Sequence, residues 1–189
     1  MLDGFAQVEE YAIRAKEHNN QQYLCISDHG MMAAVPRQIR ACNTMGLKAI
    51  HACEVYVNDK HSLKEHLDEL SDEDRREVRK SYHLLAIAYN NEGYQNLIKL
   101  TSWGFIHGFY YKPRVTHEQL RKYKNGIIFT SCCYNGEIGQ AFDRGGEDAA
   151  YQKLEYFIEM FGKDNFYLEL MLLDFHKQKP YDAWLIKAH

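Results

Sequence analysis

An α/β fold with largely parallel strands is what this sequence predicts, and three observations lead there. Short apolar runs of strand length alternate with segments whose apolar residues recur at helical spacing. The alternation repeats about every 25–35 residues, the length of one β/α unit in a barrel or a doubly wound sheet. Polar residues able to do chemistry sit near the ends of the apolar runs, where parallel folds place their ligands.

The elements follow in order. Phe5, Val8, Tyr11, Ala12 and Ala15 have helical spacing, and Asp3 is a candidate cap for that helix. Residues 23–27 read as a short strand. A helix is expected over 34–45, with Pro36 tolerable in its first turn and Gly46 as its stop signal. Residues 48–57 are rich in strand formers. A charged insertion occupies about 58–81, and 63–80 within it is acidic at the start and basic at the end, as a solvated surface helix would be. Residues 82–88 form the next expected strand and 91–103 a helix. The aromatic, Gly-punctuated and Pro-containing stretch 104–114 reads as a loop. A short helix over 117–123 and a strand over 127–131 come next, then a turn over 132–139. Helix 147–161 ends at Gly162, residues 166–173 read as a strand, and 177–189 as the start of another helix.

Composition narrows the function classes. Of 189 residues, 46% are apolar and 26% charged, close to globular averages, so disorder and fibrous folds are excluded as the main class. No apolar run approaches the length of a membrane span, and the first ten residues lack the basic flank and apolar core of a signal peptide. A cytoplasmic location and no membrane partner are therefore expected. The net charge of −3 does not mark the whole chain as a nucleic-acid binder. Five cysteines occur without a Cys-x-x-Cys pair, which argues against a disulfide framework or a zinc ribbon. Cys25, Cys42 and Cys53 read as small buried apolar residues.

The informative polar residues are drawn from successive strands. Asp28, His29 and Gly30 follow the first apolar run, Glu54 falls late in the second, His83 lies on the third, and Cys133 follows the fourth. Imidazole, carboxylate and thiol side chains converging on one mouth suit a divalent ion such as zinc, manganese or iron. His83 fits least well, because it sits near the start of its strand. Each residue also has a plainer reading. Asp28-His29-Gly30 is a good turn with Asp as a cap, and Glu54 alone could be a half-exposed strand residue. His51, His61, His66 and His117 read as ordinary histidines, and Arg75, Arg76, Arg79 and Lys80 as a solvated helix face.

The segments MLDG, YLCISDHGMM, ACEVYV, YHLLAIAYNNEGYQNLIKL, GFYYKPR, IIFTSCCYNGEI and FYLEL occur in one order over essentially the whole chain. In that order they resemble the N-terminal PHP (polymerase and histidinol phosphatase) domain of bacterial DNA polymerase III alpha subunits, the C-family replicative polymerases. The resemblance implies a distorted (β/α)7 barrel of PHP type, with up to three divalent metals (zinc, manganese, iron or magnesium) at the strand C-termini. Residue by residue, it assigns Asp3, His29, Glu54, His83 and Cys133 as metal ligands, Asp28 as a partner orienting His29, and Arg114 as a phosphate contact. The family's other ligands, an upstream His-x-His and a late Asp-x-His, are expected outside this chain. The barrel is thus expected to be incomplete, with its first strand and last units missing, since a full β/α barrel usually needs roughly 250 residues.

The implied chemistry is metal-dependent phosphoester hydrolysis, including 3′–5′ proofreading exonuclease activity in the intact domain. The implied partners are the remainder of the polymerase alpha subunit, DNA through the intact polymerase, and the proofreading subunit. The chain alone is expected not to polymerise DNA. Two alternatives stand beside this reading: a stand-alone PHP phosphoesterase of the histidinol phosphatase type, and a non-catalytic scaffold domain.

Overall fold

A computed structural model describes residues 5–60, 68–171, 173 and 176–188. Asp3, His61 and His66 lie outside the described residues, as does part of the charged stretch expected to be an insertion. Helix α1 (Val8–Ile13) opens with the Glu10 carboxylate accepting from the Gln7 backbone N–H at 2.7 Å, and runs on into one π-helical turn. Strand β1 (Tyr23–His29), helix α2 (Val35–Met45) and strand β2 (Lys48–Val57) follow. Pro36 sits in the first turn of α2 and Gly46 ends it in the left-handed region at φ 65°. The charged stretch between β2 and the next strand contributes helix α3 (Asp72–Arg79), capped by the Ser71 hydroxyl.

Next come β3 (Tyr82–Ala88) and α4 (Asn91–Ile106). The expected loop at 104–114 is instead the end of α4 plus a hairpin, β4 (Phe109–Tyr110) and β5 (Lys112–Val115). Pro113 disguised it: β5 lies between β4 and β2 but pairs with only two residues of each, so its ladders are short. Helix α5 (His117–Tyr123) and strand β6 (Ile127–Thr130) match expectation closely. Helix α6 (Glu137–Phe161) starts ten residues earlier than expected and is broken at Gly146, where φ is 71° and ψ −161°. Strand β7 (Phe166–Tyr167) is only two residues long, and α7 (Gln178–Ala188) closes the described chain.

One seven-stranded mixed sheet organises these elements in the order β4-β5-β2-β3-β6-β7, with β1 also on β2. Strand β1 pairs parallel with Lys48–Glu54 of β2, and β5 pairs parallel with Tyr56 and Val57 farther along it. Because β3 covers residues 52–57 of β2 from the other side, β1 and β5 share one edge of β2 in succession. The expectation of largely parallel strands needs correction at β3, which runs antiparallel to both β2 and β6, and at the antiparallel β4–β5 hairpin. The link from β2 to β3 therefore leaves and returns at the same end of the sheet. Asn58 ties that link together, its side-chain amide donating to the carbonyls of Glu77 and Lys80 at 2.9 and 2.8 Å. Among the described residues β7 pairs only with β6, so the sheet is open.

The two sheet faces differ. Cys53, Val55, Val57, Leu84, Ala86, Ala88, Ile127 and Phe129 point into one core with α4, α5, α6 and α7. Phe129 stacks on Phe161 with ring centroids 4.0 Å apart, and Trp184 and Tyr181 are almost fully buried. Each large apolar side chain so buried contributes roughly 1.5–3 kcal/mol. On the opposite face Glu54, His83, Leu85, Ile87 and Ile128 are only half-buried. Cys42 and Cys53 are buried as expected, whereas Cys25 on β1 is exposed.

A partly buried ionic strut links the turn after β2 to α5 and α6. The imidazole of His117, first residue of α5, lies 2.6 Å from Asp59 Oδ2 and 2.8 Å from Glu137 Oε1, and Lys153 Nζ lies 2.9 Å from Glu137 Oε2. Burial would lower the His117 pKa, but the two carboxylates outweigh it and raise it from 6.5 to about 9. Burial would raise both carboxylates, and His117 instead holds them below their ordinary values. The imidazolium contribution is complete below about pH 6.5 and is lost as pH rises through 9. The carboxylate contributions are present above their ordinary pKa values and are lost on acidification. His117→Gln should thus be less stable than the parent by roughly 2–3 kcal/mol near pH 6. The gap should shrink toward pH 9, as followed by urea unfolding midpoints across that range; a gap independent of pH would remove the strut from the account.

Candidate metal centre

Four of the five expected ligands meet at one end of the sheet. In the β1–β2 ladder, His29 and Glu54 are direct cross-strand partners. His83 stands opposite Tyr56 on the other side of β2, so Glu54, Tyr56 and His83 share a face. The reversed direction of β3 explains the position of His83: the start of an antiparallel strand lies level with the ends of its parallel neighbours. Cys133 follows β6 in the loop 131–136. That loop is pinned to β3, where the His83 N–H donates to the Asn135 carbonyl at 3.2 Å. Gly136 allows the approach, since a Cβ there would lie 2.4 Å from the Ser131 carbonyl oxygen. Cys132 takes the left-handed region at φ 55°, turning Cys133 back toward the cluster.

The four side chains are joined by hydrogen bonds. Glu54 Oε1 lies 2.9 Å from His29 Nδ1 and 2.8 Å from His83 Nδ1, and His83 Nδ1 is 3.4 Å from Cys133 Sγ. Tyr56 braces the rings, lying parallel to His29 at 6.3 Å and edge-on to His83 at 5.2 Å. The cluster opens to solvent through His29, whose side chain is 44% exposed against 16% for Glu54 and 17% for His83.

A family model for the PHP domain matches residues 1–172. The chain belongs to the PHP domain family. Its relatives include the DNA polymerase III subunit alpha of Borreliella burgdorferi, 32% identical over 187 residues, covering 99% of this chain and 16% of that protein. The same subunit from Treponema pallidum is 32% identical over 190 residues, covering 99% and 15%. That of Deinococcus radiodurans is 34% identical over 173 residues, covering 90% and 13%. This PHP domain thus spans no more than 16% of the length of these relatives.

Within the PHP domain's cluster each group shifts the protonation of its neighbours. Burial would raise the Glu54 carboxyl, but the His83 hydrogen bond and the charges of His83 and His29 hold it below its ordinary value. Burial would lower His83; Cys133 and Glu54 raise it instead, to about 9. The Cys132 thiol donates to Cys133, which is pulled well below an ordinary thiol despite burial, with His83 adding to the effect. Cys132 is pushed up in return. Two imidazoles, a carboxylate and a thiolate are the donor types of borderline divalent ions, so the chemistry of the set fits a metal. The donors are bonded to one another, however. Among the described residues no three or more His, Cys, Asp or Glu side chains are arranged around one point as a metal site.

The other candidates sort differently. What the Asp28 carboxylate holds is the turn into α2, where its Oδ2 accepts from the Ala34 N–H at 2.6 Å. Of the ordinary histidines, His51 is satisfied by Gln38 at 2.8 Å, and His117 belongs to the strut. Tyr56 and the β4–β5 hairpin were missed as neighbours of the cluster. Only the aromatic density of 109–111 hinted at the hairpin.

Arg114 has a different task from the expected phosphate contact. It is 2% exposed, and its guanidinium donates to the carbonyls of Lys80 and Arg79, both at 2.9 Å, and to those of Tyr110 and Lys112. It therefore clamps the β4–β5 hairpin to the end of α3. Leaving several buried carbonyls unpaired costs about 1–3 kcal/mol each. Arg114→Met should accordingly destabilise the PHP domain by roughly 3 kcal/mol or more in urea unfolding, and Arg114→Lys should rescue little of it, since an ammonium cannot span all four carbonyls. Near-parent stability of either variant would return Arg114 to the list of phosphate contacts.

Proposed function

We propose that this chain is the PHP segment of a DNA polymerase III alpha subunit, in which His29, Glu54, His83 and Cys133, together with Asp3, hold divalent cations for phosphoester hydrolysis. The observation that carries this reading is the convergence of those four side chains from β1, β2, β3 and the loop after β6. The relatives named above, matched over nearly all of this chain, favour the polymerase branch over a stand-alone histidinol phosphatase. In this reading the open sheet is part of a distorted (β/α)7 barrel, with Leu85, Ile87 and Ile128 on its inner face. The intact domain would carry up to three ions, work in the cytoplasm, and meet the rest of the alpha subunit, the proofreading subunit, and DNA held by the polymerase. Its activity there would be that of a 3′–5′ exonuclease.

A bound divalent cation would supply a water activated near neutral pH and neutralise charge on the phosphoryl oxygens. The chain's own residues do the rest. His29 and His83 present nitrogens and Glu54 an oxygen from adjacent strands, whose pairing fixes their separations. Tyr56 limits rotation of both imidazoles. Cys133 enters as a thiolate prepared by the Cys132 thiol and His83. Metal must displace the His83 proton, so affinity should fall as pH drops.

Equilibrium dialysis against zinc or manganese, followed by elemental analysis, tests the reading. The parent should retain metal, and its unfolding free energy should rise by about 2.7 kcal/mol at a metal concentration of 100 times Kd. His29→Ala and Glu54→Ala should each lose at least about tenfold in affinity. A scaffold role has one observation in its favour: the direct bonds among the four side chains already hold β1, β2, β3 and the Cys133 loop together. Metal-free protein after dialysis, in both this chain and a full-length alpha subunit, would favour the scaffold.

A further inference from the structure

A cavity of about 600 Å³ opens directly beside His83, between the end of α3 and the β4–β5 hairpin. That size falls within the roughly 300–1,000 Å³ of small-molecule sites. Among the described residues its wall carries four cations, Arg79, Lys80, Lys112 and Arg114, and no carboxylate, in a chain whose net charge is −3. Two of the four are committed. Arg114 serves the backbone carbonyls, and the Lys80 ammonium is paired with Glu77. Arg79 and Lys112 are exposed on the wall. Lys112 stands on the cluster side: its ammonium is 4.3 Å from the centre of the Tyr56 ring, and that ring is 5.2 Å from the ring of His83.

Tyr111 supplies the second kind of surface. It lies between β4 and β5 with φ at 58°, a left-handed conformation uncommon for a non-glycine residue, and it is 79% exposed. Its ring thus contributes little to the core, yet it lines the same cavity as the two cations. Cationic side chains beside an exposed aromatic ring are the pairing that grips single-stranded nucleic acid, with phosphate on the cations and a base on the ring. A small phosphomonoester would use neither the ring nor a second phosphate contact.

We propose that this pocket is a nucleotide subsite: Lys112 and Arg79 hold a phosphate of a single-stranded polynucleotide next to the one delivered to the His83 cluster, and Tyr111 stacks on its base. The assignment rests on the hydrolase reading for its purpose, but binding in the pocket itself requires no metal. Fluorescence anisotropy of a labelled oligothymidylate, with EDTA present, therefore tests it separately. The parent chain should bind. The double variant R79Q/K112Q should bind at least about fivefold more weakly, and the slope of log affinity against log salt should fall by about 0.7 for each phosphate that the variant no longer neutralises. Tyr111→Asn keeps a residue that tolerates the left-handed backbone. It should weaken binding by about fivefold or more with the salt slope unchanged, while Tyr111→Phe should bind like the parent. Circular dichroism and urea unfolding establish that each variant is folded.

No binding by the parent, variants indistinguishable from it, or inorganic polyphosphate bound as tightly as the oligonucleotide would each overturn the subsite. The two readings separate cleanly. Oligonucleotide binding with this variant pattern in a protein that takes up no metal keeps the pocket and removes the hydrolase. Metal uptake with unaltered oligonucleotide binding by the variants removes the pocket alone.

Discussion

Strand β2 carries partners along both edges, and its antiparallel ladder with β3 decides what can stand at the mouth of the sheet. Were β3 parallel, residue 83 would lie at the far end of the sheet, a strand length of roughly 20 Å away from Glu54. Reversal brings it instead within 2.8 Å. The same reversal makes the β2–β3 connection a return on one side of the sheet, which puts α3 at the mouth. From that placement come the carbonyls that Arg114 holds, and the wall of the cavity beside His83. The cluster, the clamp and the cavity are consequences of one strand direction.

Glu54 concentrates the electrostatics. A single carboxylate oxygen accepts from two imidazoles, and one of those imidazoles also faces a thiol. Each partner stabilises the charged form of the next, so the group stays polar and close-set although two of its members are mostly buried. Such a set is a poor source of stability by itself, because desolvation offsets much of the attraction. The His117 strut shows the contrasting case. Its imidazole contacts Asp59, Glu137 and two aromatic rings, and it joins the turn after β2 to α5 and α6.

The hairpin β4–β5 connects these parts. Pro113 packs at Gly30, where a Cβ would come within 2.9 Å of its ring, just after His29. Lys112 leans over Tyr56, and Arg114 reaches back to α3. Three consecutive residues thus touch the cluster's first strand, its bracing tyrosine and the link between β2 and β3.

Much of this was legible in the residues alone. Strands 48–57 and 82–88 and helix 117–123 were readable to the residue, because short runs of mostly apolar residues mark the two strands and Thr116 is a good cap for the helix. The donors His29, Glu54, His83 and Cys133 were also readable, as chemistry-bearing side chains at strand ends. Other features were not. Arg114 and Asp28 carry functional residue types, but their partners are backbone groups, chiefly at Arg79 and Lys80 in one case and at Ala34 in the other. The hairpin hid behind Pro113, which sits in a short strand between β4 and β2. Which residues could form strands and helices, and which carry donor atoms, was already settled along the chain, since those depend on local propensity and side-chain chemistry. The direction of β3, the sharing of β2's edge by β1 and β5, and hence the meeting of four donors came only with packing, because strand direction is set by how a connection packs and not by the composition of the strand it connects.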